Sequence, residues 1–206
     1  KLRTLTEGKD YFVHKSGAEF GWKQYRYEIS KDNFVEDGHY TVTIYSEDRA
    51  RNVSDNQSKG KSLSFAVDKT PPSIVISGIE QKGRYRENSR EILLDVQDNL
   101  AIAGLTVHLD GETTVYDQEA LNTLRGKVSV TARGKNEWQT LKVSAEDRAG
   151  NQIEIENVTF LITPNLWVQF YNHKPLFYGS IITILLSVLI GFSCSVCSKR
   201  KRSQYD

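Results

Sequence analysis

The sequence predicts an all-β fold, arranged as successive sandwich modules and followed by one membrane-crossing α-helix. Three observations predict it. Short runs of alternating apolar and polar residues, rich in β-branched and aromatic types, recur from Tyr40 to Ile162. A nearly identical string occurs twice, as YTVTIYSEDRARN at Tyr40–Asn52 and as QTLKVSAEDRAGN at Gln139–Asn151. Near the C-terminus, 22 residues from Leu176 to Cys197 pass without a charge and are followed by four consecutive cations.

The strands can be taken in order. HYTVTIYSE predicts one strand with Tyr40, Val42 and Ile44 on one face and Thr41, Thr43 and Tyr45 on the other. LSFAVD alternates Leu63, Phe65 and Val67 in the same way. Further strands are expected at EILLDVQ (Ile92, Leu94, Val96), AGLTVHLDG (Leu105, Val107, Leu109), GKVSVTA (Val128, Val130), QTLKVSAE (Leu141, Val143, Ala145) and QIEIENVTFLI. In the last, the apolar phase changes between Ile155 and Val158, which predicts a bulge or bend at Glu156 and Asn157. YDQEALNTLR alone carries helical spacing, with Ala120, Leu121 and Leu124. Many strands, frequent turn signals and almost no helix point to a β-sandwich.

The repeat supplies a ruler. Glu47 and Glu146 are 99 residues apart (146 − 47), the size of one sandwich domain of this kind. Between the copies, Pro71 and Pro72 lack backbone donors and interrupt strand pairing, so a boundary is expected there. The predicted organisation is a module over 1–70, cut into at its start, a complete module over 71–163, an interfacial segment over 164–175, the membrane helix over 176–197 and a basic tail over 198–206. The chain has no methionine, so Lys1 is expected to follow further sequence in the parent protein.

At a rise of about 1.5 Å per residue the uncharged run forms a helix roughly 33 Å long, enough for a bilayer core of about 30 Å. Leu176, Ile184, Leu189 and Cys197 mark this anchor, and Lys199, Arg200, Lys201 and Arg202 are the topology signal that assigns the C-terminus to the cytoplasm. Trp167, Phe170, Tyr171, Phe177 and Tyr178 are the aromatic residues expected at the opposite interface. The lipid bilayer is therefore an expected partner. Both cysteines, Cys194 and Cys197, sit at the inner end of this helix, leaving none to bridge the sandwiches. The 27 basic and 26 acidic residues nearly cancel, which argues against a nucleic-acid partner.

DGHYTVTIYSEDRARN, SFAVDKTPPSIVISGI and WQTLKVSAEDRAGN together resemble the bacterial immunoglobulin-like repeats of large surface proteins in Gram-positive bacteria. NLWVQFYNHKPLF resembles the membrane-proximal segment of such proteins. The resemblance covers roughly residues 10 to 163. It implies immunoglobulin-like modules displayed at the cell membrane, acting as a stalk or adhesive surface with no enzymatic activity. The string LITPN at Leu161–Asn165 departs from the LPxTG sorting signal of wall-linked relatives, which leaves the helix itself as the anchor. A second departure is Arg51, which stands where the second copy has Gly150. An arginine at a positive φ would cost about 1 kcal/mol or more, so the first copy is expected to turn differently.

Candidate sites are few. Asp48, Asp68 and Asp147 are carboxylates at strand ends and in the linker; they suit either calcium, which takes hard oxygen ligands, or the capping of their own turns. His14, His39, His108 and His173 are scattered without a recognisable nucleophile, so no catalytic residue and no cofactor is expected. Trp22, Tyr25, Tyr27 and Trp138 suit the sandwich core or a protein or glycan contact. Three roles remain open on these grounds: a stalk, a direct host-protein or glycan binder, and the accessory tail of a surface enzyme.

Overall fold

A computed structural model describes residues 2–17 and 24–202, and the side chains of the latter stretch as far as Ser193. Trp22 lies outside the described residues, as do the side chains of Cys194, Cys197 and Lys199 to Arg202. The chain is mostly β-sheet, with one long apolar helix at its C-terminus. It divides into two compact units. The first comprises Lys1–Pro72 with the loops Asp98–Ile102 and Glu146–Gln152; the second comprises Ser73–Gln97, Ala103–Ala145 and Ile153–Asp206.

The first unit is built from two-stranded pairs. β1 (Tyr11–Ser16) and β2 (Gln24–Ile29) form an antiparallel hairpin that alternation did not reveal. β3 (Gly38–Val42), β4 (Tyr45–Glu47), β5 (Val53–Asp55) and β6 (Leu63–Val67) follow. β3 pairs with β6 and β4 pairs with β5. The single strand expected over HYTVTIYSE is thus two strands. The break has a physical cause: Val42 faces Leu63 and Tyr45 faces Asp55, so two residues on one arm oppose seven, 56–62, on the other. The Asn56 side chain spans the gap, its Oδ1 accepting from the Ile44 N–H at 2.9 Å and its Nδ2 donating to the Val42 carbonyl at 3.2 Å. These bonds take the place of the missing ladder bonds. Phe34, Tyr40 and Phe65 gather with ring centroids 5.0 to 5.7 Å apart and form the aromatic centre of this unit.

The second unit holds the main hydrophobic core. Its strands are β7 (Ser73–Ser77), β8 (Gly83–Tyr85), β9 (Ser89–Gln97), β10 (Ile102–Leu109), β11 (Glu112–Asp117), β12 (Lys127–Arg133), β13 (Gln139–Asp147) and β14 (Gln152–Ile162). One sheet has the order β11-β10-β13-β14-β8 and the other β12-β9-β7. Pairing is antiparallel in the smaller sheet, while β8 joins β14 in parallel. Alternate residues of each sheet are buried: Ile92, Leu94 and Val96 from β9, Val128 and Ala132 from β12, Leu105 and Val107 from β10, Leu141, Val143 and Ala145 from β13, and Phe160 and Ile162 from β14. Each large side chain so buried contributes about 1.5–3 kcal/mol, which is why a period of two in the sequence specifies the face.

Two local features match the reading of the sequence. Asn157 has φ 51° inside β14, and the burial phase changes across it. Asparagine tolerates this left-handed geometry. The helical turn is α1 (Gln118–Thr123), capped by Asp117, whose carboxylate accepts from the Ala120 N–H at 2.9 Å, and it buries Leu121. Beyond β14, Asn165 caps α2 (Leu166–Asn172). The long helix α3 (Lys174–Arg202) begins after His173. Its stretch Lys174–Ser193, with mean hydropathy 2.1, is long and apolar enough to cross a membrane. Leu176, Ile184 and Leu189 are all exposed on it.

Candidate functional site

The two copies of EDRA.N fold into the same turn. In the second, the Asp147 carboxylate accepts from the Ala149 N–H at 2.8 Å and the Asn151 N–H at 2.9 Å through Oδ1, and from the Asn151 side chain at 2.7 Å through Oδ2. In the first, Asp48 accepts from Ala50 at 2.8 Å, Asn52 at 2.8 Å and the Asn52 side chain at 2.7 Å. The backbone repeats too: Asp48 N–H donates to the Asn52 carbonyl and Asp147 N–H to the Asn151 carbonyl, both at 3.1 Å. The motif is a carboxylate that gathers the N–H groups of its own turn while the asparagine four residues on closes the loop.

This overturns the expectation that Arg51 makes the first copy turn differently. Arg51 has φ 66° and Gly150 has φ 90°, so arginine occupies the left-handed region that glycine fills in the second copy. The carboxylate cap holds it there. The connection that distinguishes the first copy lies further on, at residues 56–62, and leaves the turn intact.

The copies differ in burial. Asp147 is 1% exposed, whereas Asp48 is exposed. Burial by itself would raise the Asp147 carboxyl, but the hydrogen bonds from the Asn151 side chain and from the backbone of Asn151, Ala149 and Gly150 outweigh it and hold it below the usual carboxylate range. The Asn52 side chain and N–H lower Asp48 in the same direction.

Asp147 does not stand alone. One carboxylate oxygen from each of Asp68, Asp98 and Asp147 lies within 4.8 Å of the others. Asp68 and Asp147 are thus brought together as a hard-oxygen donor set, but Asp48, the third residue singled out from the sequence, does not belong to this cluster; its carboxylate serves its own turn. Asp98 takes that place; it lies just beyond the apolar alternation of EILLDVQ, which by itself does not mark it as a ligand. The signal was the following Asp-Asn pair, a turn initiator. Asp98 Oδ2 accepts from the Leu100 and Ala101 N–H groups at 2.9 and 2.8 Å, while its Oδ1 is buried without a hydrogen-bond partner. Asp37, which no sequence pattern marks, accepts from the Lys69 N–H, from the Thr70 hydroxyl at 2.5 Å and from the Asn99 side chain, and the Thr70 bond leads in lowering its carboxyl. The Asn151 side chain also donates to the Asp68 carbonyl at 3.2 Å.

The remaining candidates are dispersed. His14 bonds Glu28, His108 bonds the Thr113 hydroxyl, and His173 Nδ1 accepts from the Leu176 N–H. Tyr25, Tyr27 and Trp138 are exposed rather than in the core.

No family model matches this chain, and no curated protein matches it. Among solved structures, it is similar to the fibronectin(III)-like modules of CbhA from Clostridium thermocellum, at 13% identity and a TM-score of 0.34, over 46% of this chain and 99% of that one.

Three predictions come from these turns. Arg51→Gly relieves the left-handed strain and is expected to stabilise by about 0.5–1 kcal/mol, with Gly150→Arg costing a similar amount, as read from denaturant midpoints. Asp37, Asp48 and Asp147 favour the fold in their ionised form, so their contribution is complete above the unfolded carboxylate value and is lost as pH falls through the lowered folded values. The thermal midpoint is expected to drop between about pH 5 and pH 2, less steeply in Asp147→Asn. The caps account for the turn geometry without a cation, so equal midpoints are expected in EDTA and in millimolar calcium; a calcium-induced rise that Asp98→Asn abolishes would instead assign the cluster to the ion.

Proposed function

We propose that this chain is the membrane-anchored end of a bacterial surface protein, in which immunoglobulin-like β-sandwich modules hold a more N-terminal region away from the membrane. The observation that carries the reading is the EDRA.N turn, built with the same hydrogen bonds in two places 99 residues apart (146 − 47). Recurrence of a folding element at the period of one domain is the signature of a modular array. The long apolar stretch of α3, followed by Lys199, Arg200, Lys201 and Arg202, supports a single-pass anchor with the β-rich part outside. Nothing in this reading calls for catalysis or a cofactor.

A second reading, direct binding of a host protein or glycan, is favoured by Tyr25 and Tyr27. They lie two residues apart on one face of β2 and are 49% and 40% exposed. Aromatic faces of this kind suit sugar rings and protein contacts.

Topology decides the main reading. In intact bacterial cells expressing the chain with a signal peptide and epitope tags at both ends, externally added protease is expected to remove the N-terminal tag and spare the C-terminal one. Protection of both tags, or release of the chain by alkaline carbonate, would refute it.

A further inference from the structure

Helix α2 has its polarity inverted. Its polar side chains turn to the protein: Gln169 Nε2 donates to the carbonyls of Tyr85 at 2.9 Å and Thr163 at 3.3 Å, and Asn172 Oδ1 accepts from the Trp138 indole N–H at 3.0 Å. Arg84 donates to the Asn172 carbonyl at 3.2 Å. Three of its large side chains point outward, Leu166, Trp167 and Tyr171 at 56%, 79% and 54% exposed, while Val168 and Phe170 are half-buried. A short helix on a water-exposed surface carries the opposite pattern.

What covers this face is indicated by its continuity with α3. Only His173 separates the two helices, and edge-to-face contacts of Phe177 with Phe170 and Tyr171 join them at 5.7 and 5.1 Å. Lys174 lies 4.0 Å over the Tyr171 ring, placing a cation at the first turn of the apolar helix. An aromatic face, a cation and a bilayer-length helix in direct succession match the layers of a membrane boundary.

We propose that α2 is an interfacial seat: Leu166, Trp167 and Tyr171 enter the boundary between headgroups and acyl chains, with the Lys174 ammonium among the phosphates. The Arg84, Trp138, Gln169 and Asn172 bonds then hold the sheet of the second unit on the bilayer surface, in place of a free tether. The partner is a phospholipid bilayer. The proposal rests on α3 spanning the membrane.

The test uses the full chain in phosphatidylcholine–phosphatidylglycerol vesicles, with lipids brominated near the headgroup end of the acyl chain. Tryptophan emission is expected to be quenched, and Trp167→Phe to remove most of the quenched component; persistence of all the quenching in Trp167→Phe, or no quenching in the parent chain, overturns the seat. Carbonate-resistant association with the vesicles is scored in parallel. Loss of that association sinks the spanning reading itself, whereas retention without Trp167 quenching sinks the seat alone. A dye on Glu137→Cys, in a Cys194→Ser/Cys197→Ser background, is expected to transfer energy to a headgroup acceptor, and Gln169→Ala/Asn172→Ala to reduce that transfer. Unchanged transfer in the double variant refutes the lock.

Discussion

The buried carboxylate of Asp147 is the constraint around which the repeated turn is organised. An ionised group 1% exposed survives only where donors replace its lost water, and here the chain supplies two backbone N–H groups and the Asn151 amide. Meeting that demand fixes the conformation of residues 147–151, and with it the reversal from β13 to β14. It also orients Asn151 so that its amide reaches the Asp68 carbonyl as well. One buried charge thus organises the turn and, through Asn151, reaches the backbone of Asp68.

The same motif at Asp48 carries less weight, because its bonds are exposed and compete with water. Even so, the cap holds Arg51 at a φ that arginine disfavours. Sequence identity in a repeat therefore preserves geometry, while burial sets the energetic consequence.

At the other end of the chain, hydrogen-bond supply again decides the arrangement. Gln169 and Asn172 meet backbone carbonyls and the Trp138 indole, which leaves Trp167 and Tyr171 of α2 exposed, while Phe177 of α3 packs on Phe170 and Tyr171. A β-rich unit and an apolar helix are thus joined through a firmly bonded segment.

The sequence by itself determined the β-rich character, the apolar helix and five of the eight strands of the second unit, β9, β10, β12, β13 and β14, while β7, β8 and β11 carried no alternation long enough to read. Each of these rests on a local period, two for a half-buried strand and an unbroken apolar run for a span, and such signals survive in a linear string. The bend at Asn157 was legible for the same reason, as a change of phase. What only the tertiary structure decided depends on residues far apart in the chain. The split between β3 and β4 follows from the length of the opposing arm and the reach of Asn56. Asp98 joined Asp68 and Asp147 because the segments after β6 and β9 and the end of β13 converge. Arg51 adopted the glycine-like turn because the energy of its cap outweighs its own backbone preference, a balance that no single residue type reveals.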